Sequence, residues 1–160
     1  MATTPAVPLL VPPKLIATDL DGTLLRSDAR WVRLHKQLRG LLHTGRVVRV
    51  DHTDPALRAH GVISHDRTEA VFALAAVATP VAAHSGTLRL PGLDPNTTYR
   101  LRPLPPADQA PGMEHGTPAW CTGDGITLPG SVLERVGIQI PTLYPEQLIL
   151  LHLTSGPSTP

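Results

Sequence analysis

The chain has 160 residues, enough for one domain with its own hydrophobic core and too few for two. Its 14 Lys and Arg stand against 13 Asp and Glu, and a net charge of +1 excludes an overall electrostatic footprint for nucleic acid or an anionic membrane surface. Cys121 is the single cysteine, which excludes an intramolecular disulfide and a cysteine metal cage and predicts a lone buried thiol.

Residues 1–13 are rich in proline and small residues and are expected to be a disordered or extended tail. With no basic region before them, and with Pro5, Pro8, Pro12 and Pro13 interrupting the apolar residues, they make a poor signal peptide, so a cytoplasmic protein is expected. No apolar run reaches the ~18 residues a membrane-spanning helix requires. Residues 14–28 open with Lys14-Leu15-Ile16-Ala17-Thr18, which reads as a short buried strand ended by the turn at Asp21-Gly22. In the linking segment 29–44, Trp31, Leu34, Leu38, Leu41 and Leu42 recur in steps of three and four. That spacing predicts one amphipathic helix, capped near Ser27 or Asp28 and stopped at Gly45.

From Gly45 the apolar period falls to two. Strands are expected at 46–50, 59–64, 70–79, 87–90, 98–104, 125–128, 137–140 and 147–153, with one helical turn at 131–136 and a long loop at 105–124. Tyr99 and Leu101 alternate with Arg100 and Arg102, as on a half-buried antiparallel strand, whereas 71–77 and 148–151 are apolar throughout and should be central. Eighteen prolines and thirteen glycines spread along the chain suit short strands and tight turns. The fold class expected is mainly β: an antiparallel β-sandwich over 45–154, preceded by one helix and a short N-terminal strand.

Asp19-x-Asp21-Gly22-Thr23 behind an apolar strand resembles the first motif of the haloacid-dehalogenase-like hydrolases. The resemblance implies Asp19 as covalent nucleophile, Asp21 as general acid and base, and Mg²⁺ to neutralise a phosphoryl group. That family also requires a parallel sheet with crossover helices, a downstream lysine and a further acidic pair. No βαβ alternation follows here, and Lys36, the only later lysine, lies too close in sequence. The motif is therefore read as an isolated fragment, and a Mg²⁺-dependent phosphatase using Asp19 and Asp21 is an alternative reading.

A broader resemblance runs from about Trp31 to Leu153. It is carried by Leu41-Leu42-His43-Thr44-Gly45-Arg46-Val47-Val48-Arg49, Ala59-His60-Gly61-Val62-Ile63, Glu69-Ala70-Val71-Phe72-Ala73 and Leu90-Pro91-Gly92-Leu93-Asp94-Pro95. Tyr99-Arg100-Leu101-Arg102-Pro103-Leu104, Leu128-Pro129-Gly130 and Pro145-Glu146-Gln147 continue it. These segments resemble the C-terminal domain of family 36 glycoside hydrolases, chiefly bacterial α-galactosidases. The resemblance implies a β-sandwich beside a TIM barrel whose two aspartates do the chemistry, about 5 Å apart as in retaining glycosidases.

No carboxylate of this chain sits in a segment matching those catalytic motifs. The expectation is a non-catalytic, structural accessory domain of an α-galactosidase-like hydrolase, truncated or fused, with no activity alone and with no catalytic residue, cofactor or metal. Its partner in the parent family is the barrel of the same chain; no nucleic-acid or membrane partner is expected, and self-association is left open by the face a barrel would cover. Asp51, His52, Asp54, His60 and His65 suggest a metal by sequence proximity but read better as solvated turn residues. Trp120 either anchors the long loop or stacks on a sugar, the basis of a second alternative, a carbohydrate-binding module. Arg46, Arg49, Arg100 and Arg102 should line polar strand faces or meet the barrel. Glu69 and Glu146 read as structural, and His43 as orienting the helix-to-strand turn.

Overall fold

A computed structural model describes residues 29–81, 86–104, 118–121 and 124–156. The expected tail at 1–13 and the motif at 14–28 with Asp19 and Asp21 lie outside the described residues, as does most of the expected loop. Helix α1 spans Ala29–Thr44. Eight strands follow in the order expected: β1 (Arg46–Val50), β2 (Leu57–Ile63), β3 (Glu69–Ala76), β4 (Thr87–Leu88), β5 (Thr98–Leu104), β6 (Ile126–Pro129), β7 (Ile138–Gln139) and β8 (Leu148–Ser155).

One helix was expected and two are present. Helix α2 spans Gly130–Arg135, where the sequence predicts one helical turn at 131–136. Pro129 ends β6 in an extended conformation and caps the helix, and Leu133 is fully buried in the core. A helix this short does not persist on propensity, so the anchorage of Leu133 is what holds it.

Six strands form one antiparallel sheet in the order β1-β2-β3-β8-β5-β6, and β4 pairs with β7 in a separate two-stranded ribbon. The two continuous apolar stretches are indeed the central pair, β3 and β8, joined from Glu69↔Thr154 to Ala75↔Leu148. Alternation along the strands gives the sheet two faces. One carries Leu57, Ala59, Ile63, Ala70, Phe72, Leu74, Tyr99, Leu101, Ile149, Leu151 and Leu153 into the main core. Leu88 and Ile138 of the ribbon, Leu133 of α2, Leu90, Leu93, Leu143 and Trp120 close that core from the other side, which makes the body sandwich-like.

The other face carries Val62, Val71, Leu104 and Leu150, and α1 lies over them with Leu34, Leu38, Leu41 and Leu42. Gly45 makes that placement possible. Its N–H donates to the Leu41 carbonyl at 2.7 Å. A Cβ there would sit 2.6 Å from Val62 Cγ1 and 2.7 Å from the Leu41 oxygen, closer than any real Cβ contact. Among the described residues no helix is long and apolar enough to cross a membrane.

Candidate functional site

The residues suggested as a metal cluster are kept apart by the β1–β2 hairpin and its successor. Asp51, His52 and Asp54 lie in the turn before β2, and His65 lies in the turn after it. Seven residues of strand separate the two turns, roughly 20 Å. Asp54 organises its own turn. Its carboxylate accepts from the backbone N–H of Ala56 and of Val81, both at 2.9 Å, and its own N–H donates to His52 Nδ1 at 3.0 Å. The two backbone donors, chiefly that of Ala56, hold the Asp54 carboxyl below its ordinary range. Asp51, His52 and Thr53 line an open cleft of about 350 Å³ with Gly86, Thr87 and Arg89.

His60 stands mid-strand in β2, paired across to Arg49 and Ala73. Burial lowers its pKa below 6.5. Among the described residues no group of three or more His, Cys, Asp or Glu is placed to hold a metal ion.

The turn between β2 and β3 is equally self-contained. Asp66 accepts from Ser64 Oγ at 2.6 Å, from the Thr68 N–H at 3.1 Å and from Thr68 Oγ1 at 2.8 Å, which pulls its carboxyl down to about 2. Arg67 there adopts φ 57°. Its carbonyl accepts from the Tyr99 hydroxyl at 2.6 Å, and that hydroxyl accepts from the Asp94 N–H at 3.0 Å. Asp94 in turn caps the Asn96 N–H at 2.9 Å, and Glu134 accepts from the Gly92 N–H at 3.3 Å.

One polar constellation lies on the sheet itself, on the α1 side. His152 of β8 is buried, and its Nε2 is 2.7 Å from Glu69 Oε1 of β3. Its Nδ1 is 3.4 Å from Arg102 Nη2 of β5, the residue directly opposite in register. An arginine can only donate, so Nδ1 accepts and Nε2–H donates to the carboxylate. Sequence reasoning placed Glu69 as structural but did not single out His152. The available signal was a histidine out of phase in the apolar run 148–153.

This row binds three strands together. The Cys121 thiol, in the 3₁₀ turn Ala119–Cys121, is pushed up to about 12 by burial, so it is no nucleophile near neutrality.

Trp120 is 3% exposed, and its Nε1 donates to the Gln139 carbonyl at 2.9 Å. It anchors its loop to the core and offers no face to a sugar. His43 is exposed and meets His35 edge-on at 6.4 Å, while the helix-to-strand turn is held by Thr44 Oγ1 on the Gly40 carbonyl and by Gly45. Arg49, Arg100 and Arg102 lie on the α1 side of the sheet. Arg46 reaches the other way, 3.5 Å from the Gly92 carbonyl. Glu146 sits at φ 67°, its N–H bonded to the Ala76 carbonyl at 2.8 Å. The carboxylates of Asp54, Asp66, Glu69, Asp94, Asp124 and Glu134 thus serve turns, a histidine or an arginine, not a facing acid pair of the kind hydrolysis of a glycoside requires.

Residues 57–153 match the family described as the glycosyl hydrolase family 36 C-terminal domain. An α-galactosidase of Escherichia coli is 38% identical over 129 residues, which cover 78% of this chain and 18% of that protein. The crystal structure of the α-galactosidase from Lactobacillus brevis superposes with a TM-score of 0.60 at 20% identity, over 80% of this chain and 16% of that one. The family 36 α-galactosidase AgaB from Geobacillus stearothermophilus gives 0.57 at 24% identity, over 78% and 15%. The chain therefore spans less than a fifth of the length of these relatives.

Proposed function

Because this chain belongs to the family of glycosyl hydrolase family 36 C-terminal domains, we propose that it works as the non-catalytic accessory domain of an α-galactosidase-like glycoside hydrolase, whose chemistry resides in a separate barrel. One observation carries the reading: the family match runs from the start of β2 into β8 and takes in most of the main core, yet corresponds to under a fifth of an α-galactosidase. The carboxylates described above fit the same reading, since each one named is engaged in holding a turn or a neighbouring strand. A lone cysteine with a half-buried thiol suits a reducing compartment, and we place the protein in the cytoplasm.

The test has two arms. The purified chain is expected to leave an aryl α-galactoside untouched. Deleting the matched region from the Escherichia coli α-galactosidase is expected to abolish its folding or activity, and a chimera carrying this chain in that place is expected to restore both. Turnover by the chain alone, or a deleted enzyme that keeps full activity and stability, would overturn the proposal.

A further inference from the structure

The near-zero net charge conceals a segregation. Between residues 29 and 50 the sequence holds Arg30, Arg33, Lys36, Arg39, Arg46 and Arg49 and no acidic residue. The sequences of α1, β1 and β2 contain neither Asp nor Glu. On α1 the cations Arg33, Lys36 and Arg39 are exposed, and their steps of three place them along one solvent-facing arc, opposite the leucines that meet the sheet. Beside the helix, the same sheet face adds exposed Arg49, Arg58 and Arg102. Among the described residues Arg100 pairs with Asp124, and Glu69, on the same sheet face, accepts from His152, so none of these six cations is in an ion pair.

This pattern works against the helix that carries it. Like charges three apart on a helix repel, and cations near its start, with no acidic residue in the first turn, oppose the helix dipole. Two valines stand exposed within the patch: Val32 at 38%, one turn before Lys36, and Val47 at 64%, across from Val62. Repelling cations and exposed aliphatic carbon together match a surface that offers both carboxylates and apolar groups.

We propose that the outer face of α1 and the adjoining sheet face of β1 and β2 form a docking surface for a carboxylate-rich protein surface. Phosphate polyanions would satisfy the cations but leave Val32 and Val47 without apolar cover, and two valines on separate elements fall short of the continuous apolar face that inserts into a bilayer surface. The inference rests on the accessory-domain reading, and it adds that the larger polypeptide meets this domain through its acidic side.

The probe is a glutamate oligomer, titrated at low ionic strength into the ¹⁵N-labelled chain and followed by amide shifts. Saturable binding is expected, with shifts confined to α1, β1 and β2. The triple variant Arg33→Glu, Lys36→Glu, Arg39→Glu is expected to bind about tenfold or more weakly, whereas Arg89→Glu with Arg135→Glu keeps wild-type affinity. Should the triple variant lose its circular dichroism spectrum, the glutamine versions serve in its place. Shifts centred elsewhere, or unchanged affinity in the variant, overturn the docking surface. Tighter binding to duplex DNA or to phosphatidylserine vesicles than to the oligomer overturns the choice of a protein partner. The chimera experiment reads the accessory role independently, so restored activity alongside an unaffected charge-reversal variant would sink this inference alone.

Discussion

Replacing Tyr99 by phenylalanine removes one oxygen and disconnects two turns. The ring is wholly buried in the core, and its hydroxyl is the point where the β2–β3 turn and the loop before β5 meet. It donates to the Arg67 carbonyl at 2.6 Å and accepts from the Asp94 N–H at 3.0 Å. Each net hydrogen bond contributes about 1 kcal/mol, and a buried group left unpaired costs at least as much. Two bonds therefore give a loss of about 2 kcal/mol, a sizeable part of the ~5–15 kcal/mol that stabilises a typical domain. At roughly 4 °C per kcal/mol, Tm should fall by about 8 °C.

Urea unfolding followed through tryptophan emission measures this directly, because Trp120 is buried in the same core. The midpoint should fall with the slope unchanged. Tyr144→Phe, at an exposed tyrosine, is the control and should be neutral. A loss below ~0.5 kcal/mol for Tyr99→Phe, or an equal loss for Tyr144→Phe, would refute the bridging role.

Gly61→Ala should cost about 1–3 kcal/mol in the same assay, since the new Cβ would be driven into the Phe72 ring; trimming the ring with Phe72→Leu in the same background should recover part of it. The Asp66 carboxyl, drawn down from 3.8 to about 2 by the Ser64 hydroxyl and the Thr68 donors, stabilises the fold fully above 3.8. Its contribution disappears as pH falls through about 2, so the stability gap between wild type and Asp66→Ala should narrow across that window. His60 has the opposite charge logic but the same slope. Burial lowers its folded pKa below 6.5, so stability is full above 6.5 and declines as pH falls below it toward the folded value. His60→Leu should flatten that part of the profile, and an imidazole shift titration of the folded protein should place His60 below 6.5.

Much of the fold was legible because its signals are local. The alternation at Tyr99, Arg100, Leu101 and Arg102 matches a strand with one buried face, and the leucine spacing of α1 matches the stripe that meets Val62 and Val71. The strand order was not legible. Pairing of β3 with β8 joins residues more than seventy positions apart in sequence, and nothing near Val71 announces His152 as its partner. The Glu69–His152–Arg102 row was hidden for that reason: it exists only once the registers of three strands are set. Helix α2 was legible as a helical turn at 131–136, but the burial of Leu133 that holds six residues in a helix is a tertiary fact. Charge segregation was obscured by summing over the chain, since α1, β1 and β2 carry cations and no acid while the total includes every other segment.

The position of β8 sets an order on assembly. The β1–β2–β3 meander and the β5–β6 hairpin each pair locally, but among the described residues their strand ladders are joined through β8, the last strand in sequence order. Until residues 148–155 are in place the six-stranded sheet cannot close, and the inner edges of β3 and β5 have no partner strand, the kind of edge that attracts stray strands. Completion of the sheet is thus a single late event, in which one segment supplies the ladder for both halves and the buried leucines for the core between them.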